Sequence, residues 1–183
     1  MVLWHTQMSL DGFIAGPGDA MEWAFEDWNA ADEPDETIAD VLRSTGALLV
    51  GRRTQDVEDR EQPGFYGGAY RGPFFTLRHD PPPEPPVVKG VTGRFIDVEI
   101  EEAVRIAKEA AAGADVVILG AHIARQALEA GLLDEVIVHL TPVLLGDGVR
   151  LFSRPGGSPV RLERTGVKET GQLTALRFRV RKP

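Results

Sequence analysis

The chain has 183 residues, 43% of them hydrophobic, no cysteine, and a formal net charge of −8. That length and apolar content fit one folded domain over 1–183 and exclude a disordered polypeptide. The acidic balance argues against a nucleic-acid partner, and the missing cysteines remove disulfides and thiolate metal sites.

No apolar run of about 18 residues occurs, so no membrane partner is expected. MVLWHTQMSLDGF does not read as a leader, and the expected location is the cytoplasm. Val2–Met8 is predicted as the first strand, followed by SLDGFIAGPGDAMEW as a glycine-punctuated loop long enough to carry function. Pro34 suits the first turn of a helix that carries Ile38, Val41 and Leu42 on one face and stops at Gly46. The acidic run from Glu26 to Asp40 reads as a solvated face. ALLV at 47–50 is a buried strand ending in GRRT at 51–54. GFYGGAYRGP at 64–73 is predicted as loop and FFTLRH at 74–79 as strand. DPPPEPP at 80–86 reads as an extended surface connection, with a domain linker as the alternative. Phe95–Val98 is a short strand, and Glu101–Ala112 a helix capped by Gly113.

Residues 116–140 repeat the pattern of strand, helix and strand. Val116–Leu119 is short, apolar and β-branched, as in a strand buried on both faces. Gly120 turns it into a helix with Ile123, Ala124, Ala127, Leu128 and Ala130 on one side, closed by Gly131. Val136, Val138 and Leu140 then alternate with Ile137 and His139, giving a second strand parallel to the first. LGDG at 145–148 is by itself a turn signal. After residue 152 the pattern becomes two alternating strands, VRLERTGV and LTALRFRVR, which should form an antiparallel hairpin at a sheet edge. Leu176, Phe178 and Val180 would face inward and Arg177, Arg179 and Arg181 outward. The fold class is α/β, with a mostly parallel central sheet flanked by helices and an antiparallel C-terminal hairpin.

Three strand ends share a style. Val50 runs into GRRT, Leu77 into Arg78 and His79, and Leu119 into GAHIA. Ligands in open parallel sheets collect beyond the carboxyl ends of strands, and free helix amides with arginines there suit a polyanion such as a nucleotide. Solvated loop arginines are the competing reading. Asp11, directly after the first strand, is a candidate for hydrogen bonding a polar heterocycle, or else forms an Asx turn in LDG. His5, His79, His122 and His139 lack metal-site spacing, and His139 is expected in the core or in a pocket wall. The three-glycine dinucleotide fingerprint, the phosphate-binding loop with its lysine and a serine nucleophile motif are absent.

Taken together, SLDGFIAGPGD with Trp23, ALLVGRRT, YGGAYRGPFFTLRH and VVILGAHIARQALEAGLLDEVIVHLTPVLLGDGVRLF resemble the dihydrofolate reductase superfamily. The likeness is to its bacterial branch related to the reductase domain of the bifunctional riboflavin-biosynthesis deaminase/reductase. The resemblance implies a dihydrofolate-reductase-like domain that binds NADPH. It implies that Gly51, Arg52, Arg53 and Thr54 hold phosphates, including the one on the adenosine ribose. Arg78 and His79 would flank the adenine, while Leu119, Gly120, Ala121, His122, Ile123 and Ala124 would meet the pyrophosphate. Ile14, Ala15 and Gly16 would lie against the nicotinamide, with Asp11 and Trp23 on the substrate side and Asp11 as the catalytic candidate. Ala121 stands where the family often has glycine, which narrows the backbone's approach. Glu26 and Asp27 are out of register with the pterin-binding carboxylate of the folate enzymes, which turns the expectation away from folate. The implied activity is reduction of a small polar heterocycle, such as a 5-amino-6-(5-phosphoribosylamino)uracil. A pterin reductase or an NADP(H)-binding protein without turnover are the alternatives, and a homodimer is the implied assembly.

Overall fold

The computed structural model describes residues 1–24, 35–61 and 64–182. Its strands in chain order are β1 (Val2–Ser9), β2 (Phe13–Ala15), β3 (Thr45–Gly51), β4 (Phe74–Leu77), β5 (Val87–Val88) and β6 (Val91–Thr92). They continue with β7 (Arg94–Ile96), β8 (Asp115–Leu119), β9 (Glu135–Thr141), β10 (Val149–Arg150), β11 (Leu162–Thr170) and β12 (Leu173–Val180). The helices are α1 (Glu36–Ser44), α2 (Arg52–Glu61), α3 (Ile100–Ala110) and α4 (Ala121–Glu129).

Eight strands form one sheet in the order β11-β12-β9-β1-β8-β3-β4-β7. The six from β9 to β7 are mutually parallel, and the β11–β12 hairpin adds antiparallel beside β9. The α/β architecture with a reversed C-terminal hairpin is as the sequence predicts. The strands joined by α4 are parallel, but β1 lies between them.

Burial on both faces explains the apolar runs. On one face Trp4, Leu49, Ile118 and Val138 pack against Ala103, Val104 and Ala107 of α3 and Ile123, Ala124 and Ala127 of α4. On the other, Leu3, Leu48, Val50, Val117 and Ile137 pack against Val41 of α1 and against Phe65 and Tyr70 of the loop after α2. Each large side chain so buried contributes roughly 1.5–3 kcal/mol. That is how ALLV and VVIL can dispense with polar alternation.

Several elements differ from the sequence reading. Helix α1 is capped by Asp35, whose Oδ1 accepts from the Thr37 and Ile38 amides at 2.8 and 3.3 Å; Pro34, with Glu26 and Asp27, lies outside the described residues. Gly46 is no helix stop but part of β3, where a side chain would meet the Ala111 carbonyl at 2.6 Å. GRRT opens helix α2 instead of a loop; RRTQDVEDRE holds a single aliphatic residue, Val57, so no apolar stripe announced it. The loop after β1 contains β2, which pairs antiparallel with β10. The small hairpin of β5 and β6 turns at Lys89 and Gly90, both at positive φ. The strand predicted to Val98 ends at Ile96, and that predicted to His79 ends at Leu77. Strand β12 lies between β9 and β11, so both its faces are partly covered: Leu173 and Ala175 are buried along with Val180, while Leu176 and Phe178 are half-buried. Arg177 reaches back to Glu135 at 2.7 Å.

Candidate active site

The parallel strands place their carboxyl ends along one edge, and a cavity of about 1060 Å³ opens there. Of the residues assigned to the cofactor, Ile14, Ala15, Gly51, Arg52, Arg53, Thr54, Arg78, His79, Leu119, Gly120, Ala121, His122 and Ile123 line it. Gly16 does not; its amide is tied to the Ala20 carbonyl at 2.9 Å. Ala124 faces the other way, fully buried in the core beneath α4.

Gly120 sits at φ 93°, ψ 144°, and α4 begins directly after it without a side-chain cap. A Cβ at this position would fall 2.5 Å from Thr54 Oγ1. Glycine is therefore required both by the backbone angle and by the hydroxyl that occupies the side-chain space. The turn presents the first amides of α4 to the cavity, where they favour an anion.

The cations differ in their commitments. Arg52 is paired with Asp56 at 3.2 Å on the same helix. Arg53 reaches Asp19 in a bidentate contact, its Nε donating at 2.8 Å, and this hydrogen bond raises the guanidinium's pKa further. His79 is 90% exposed at its side chain and faces Asp97 at 2.9 Å. Arg78 makes no ion pair among the described residues; it lies 5.4 Å over the Phe95 ring, and its Nε is buried without a partner.

Asp11 and Trp23, assigned to the substrate side, sit beside the cavity. Neither lines the cavity. Asp11 accepts from the Ser9 hydroxyl at 2.7 Å and from the Leu145 and Gly146 amides at 3.1 and 2.7 Å. The Ser9 hydrogen bond and then those amides, against some desolvation, bring its pKa down to about 2. Through these bonds Asp11 fastens the LGDG turn to the end of β1. Trp23 donates its indole N–H to the Ala20 carbonyl at 3.1 Å.

The cavity also has a wall that sequence spacing did not assemble. His5 of β1, His139 of β9, Tyr66 and Glu58 all line it. His5 is 6% exposed and His139 1%. They occupy diagonal positions on adjacent parallel strands, His5 opposite Ile137 and His139 opposite Gln7, which turns both rings to the α1 face. Their Nε2 atoms lie 2.8 Å apart. His5 Nδ1 meets the Tyr66 hydroxyl at 2.7 Å, and His139 Nδ1 faces Asp35 Oδ2 at 3.2 Å. Burial and then the nearby His139 push the His5 pKa well below its usual value, with Asp35 opposing. Burial works to raise the Asp35 carboxyl, but hydrogen bonding and charge from His139 and the amides of α1 hold it below its ordinary value. Tyr66 sits at φ 55°, rare for a residue with a side chain, which directs its ring from the glycine-rich loop toward His5. Burial, then the Glu58 charge and Tyr70, raise its phenol. Glu58 is pushed up to about 8 by burial alone.

Among the described residues no group of three or more His, Asp or Glu is arranged to hold a metal ion, and no helix is long and apolar enough to cross a membrane.

Residues 72–176 match the family described as the RibD C-terminal domain. The chain belongs to that family. Its membership in the RibD C-terminal domain family makes it a relative of the reductase domains of riboflavin biosynthesis. A comparison with curated protein sequences gives no match. Among solved structures it is similar to a riboflavin biosynthesis protein from Shewanella sp. PV-4, with a TM-score of 0.78 and 21% identity over 99% of both chains. It is similar to a diaminohydroxyphosphoribosylaminopyrimidine deaminase/5-amino-6-(5-phosphoribosylamino)uracil reductase from Thermotoga maritima, with a TM-score of 0.73 and 15% identity. That match covers 98% of this chain and 56% of the other, so the chain spans just over half the Thermotoga enzyme. A pyrimidine reductase-like protein from Corynebacterium diphtheriae gives a TM-score of 0.61 and 14% identity over 100% of this chain and 92% of that one. These likenesses carry the fold. Within the RibD C-terminal domain family's segment, Gly120 and Arg78 supply the strand-end features, whereas His5, Asp35, Glu58 and Tyr66 lie before residue 72.

Proposed function

We propose that the chain is an NADPH-dependent reductase of a phosphoribosylaminopyrimidine such as 5-amino-6-(5-phosphoribosylamino)uracil. The observation that carries the cofactor half is Arg78: a guanidinium with no carboxylate partner among the described residues and a buried, unsatisfied Nε, in the wall of a cavity that also holds the uncapped start of α4. The rest of the Arg78 guanidinium can take a phosphate of the dinucleotide, because guanidinium and phosphate match in charge and geometry. The turn at Gly120 leaves the start of α4 uncapped for a pyrophosphate, and Arg52 and Arg53, paired only at the exposed surface, can exchange carboxylate for phosphate at small cost. Bound there, NADPH supplies a hydride. The substrate half rests on family membership and on the activity named for the Thermotoga relative.

Calorimetry with NADPH and NADH, followed by NADPH oxidation in the presence of 5-amino-6-(5-phosphoribosylamino)uracil, dihydrofolate and simple pteridines, tests both halves. NADPH preference with turnover of the ribosylaminouracil alone is expected. Equal affinity for the two cofactors would remove the NADPH assignment, and turnover of the pteridines instead would replace the substrate. Homodimerisation is part of the same proposal. Strand β11 leaves an exposed sheet edge bearing Leu162 and Val167, and a second copy is one way to cover it. Light scattering should give twice the 19.9 kDa chain mass, and a monomer at micromolar concentration excludes pairing.

A further inference from the structure

We propose that Tyr66 is the residue that gives the substrate its proton, and that His5, His139 and Asp35 form the relay that reloads it. The proposal rests on the reductase reading above and adds what that reading lacks, a source for the proton that must accompany a hydride.

The chain of four groups has one self-consistent order. An ionised Asp35, 3.2 Å from His139 Nδ1 in a charge contact, favours the proton on Nδ1, which leaves Nε2 as an acceptor. Two imidazole nitrogens 2.8 Å apart must hold one proton between them, so His5 carries it on Nε2. His5 Nδ1 is then bare and accepts from the Tyr66 hydroxyl at 2.7 Å. In this empty state the Tyr66 proton points inward and only its lone pairs face the cavity.

One added proton reverses every bond. His139 becomes an imidazolium between Asp35 and His5, donating to each. His5 shifts its proton to Nδ1 and donates to Tyr66, whose own hydrogen is released toward the cavity. The loaded relay is an ion pair of zero net charge, whereas the empty one leaves the Asp35 charge without a cation beside it. Burial disfavours a second charge on His5. The groups that set this balance are His139 from β9, Asp35 from the head of α1, Glu58 from α2 and Tyr70 from the same loop as Tyr66.

The chemistry balances with one hydride and one proton. In a ribosylamine the exocyclic nitrogen pushes its lone pair toward C1′, the C1′–O4′ bond breaks, and O4′ takes the Tyr66 proton and becomes a hydroxyl. The resulting iminium carbon accepts the hydride, two electrons from a reduced nicotinamide dinucleotide, leaving a neutral C1′H₂–NH. Tyr66 takes back a proton from His5 Nδ1, His5 Nε2 takes one from His139 Nε2, and the relay returns to its empty state. Glu58, neutral below a pH of about 8, is the rival donor. Among the described residues its carboxyl makes no hydrogen bond, so nothing stands behind it to restore a proton.

The test uses Tyr66→Phe, which keeps the ring on His5 and removes only the hydroxyl, beside Glu58→Gln. With NADPH and 5-amino-6-(5-phosphoribosylamino)uracil, Tyr66→Phe should bind NADPH within about twofold of wild type and lose about 100-fold or more in kcat. The remaining turnover should have lost the wild-type pH dependence. Glu58→Gln should lose far less kcat than Tyr66→Phe. Without substrate, imidazole ¹⁵N spectra of the wild type should give His5 as the Nε2–H tautomer and uptake of a single proton by the coupled pair. Independent titration of the two rings overturns the relay, as does a bare Nε2 on His5. Normal kcat in Tyr66→Phe, or collapse in Glu58→Gln alone, overturns the donor assignment while the reductase reading stands. Failure of the wild type to bind NADPH removes that reading and the proposal with it.

Discussion

The two walls of the cavity solve opposite problems. The strand-end wall is built from arginines at the surface, each held by a carboxylate that solvent can replace or, for Arg78, by no carboxylate at all among the described residues. The histidine wall is built around two buried histidines, each held by its neighbours. Exposed ion pairs contribute little to stability and exchange partners readily, which suits a site that must accept and release a large anion. Buried polar groups cannot lose a partner without cost, which suits a site that must keep its geometry while protons move. Substitutions on one wall should thus be read in binding, and on the other in folding.

The largest expected effect breaks the histidine wall. His139→Leu fills a similar volume but leaves His5 Nε2 and Asp35 Oδ2 without their partner, and should cost about 2–4 kcal/mol in urea unfolding. A change within about 0.5 kcal/mol, the range of ordinary surface substitutions, would mean that water already reaches this pair. Next come the arginines. Arg78→Ala and Arg52→Ala should each weaken NADPH by about ten- to a hundredfold in calorimetry, since a charged hydrogen bond contributes roughly 1.5–3 kcal/mol, while unfolding stability stays near wild type. Arg52→Ala should also erase most of the preference over NADH; retention of that preference would shift the adenosine phosphate to Arg78 and Arg53.

A third, moderate effect is the pH dependence of stability. The folded chain holds the His5 pKa below 6.5, so it refuses a proton that the unfolded chain accepts. This stabilisation is complete above about 6.5 and is lost as the pH falls toward the folded value. Glu58 runs the other way: raised from 4.5 to about 8, its contribution is whole below 4.5 and is lost as the pH climbs through 8. Thermal melts of Glu58→Gln should therefore lose the alkaline decline and keep the acid one. Melts with an unaltered alkaline limb would show that Glu58 is well hydrated. The smallest effect is Asp11→Asn, expected to lower Tm by a few degrees through the LGDG turn and leave NADPH affinity unchanged. Weakened NADPH binding with an unchanged Tm would return Asp11 to the site.

How much of this was legible depends on whether a feature is local in the chain. The strand ends are: an apolar run followed by GRRT or GAHIA states within a few residues both the strand and what it presents. The hairpin is too, since alternation without room for a helix leaves little else. Helix α2 was not, because ten residues with Val57 as their one aliphatic group carry no face. The histidine wall was not either. His5 and His139 are 134 positions apart, and only the parallel register of β1 with β9 joins them. The one signal was a polar residue within an apolar strand, enough to put His139 in the core or a pocket wall but not to find its neighbour. Asp11 was read locally as a turn former in LDG or a polar contact, and its amide partners at 145 and 146 are too distant in sequence to have been foreseen.

Asp35 divides its two oxygens between different tasks. One holds the opening amides of α1, those of Thr37 and Ile38, and the other faces His139. A change of charge on the histidines therefore redistributes electron density across a carboxylate that is also a helix cap. The first turn of α1 becomes a gauge for the interior. Hydrogen–deuterium exchange at two backbone amides should follow the state of the cavity without substrate, label or optical signal, slowing or quickening by the same event that moves a proton to Tyr66.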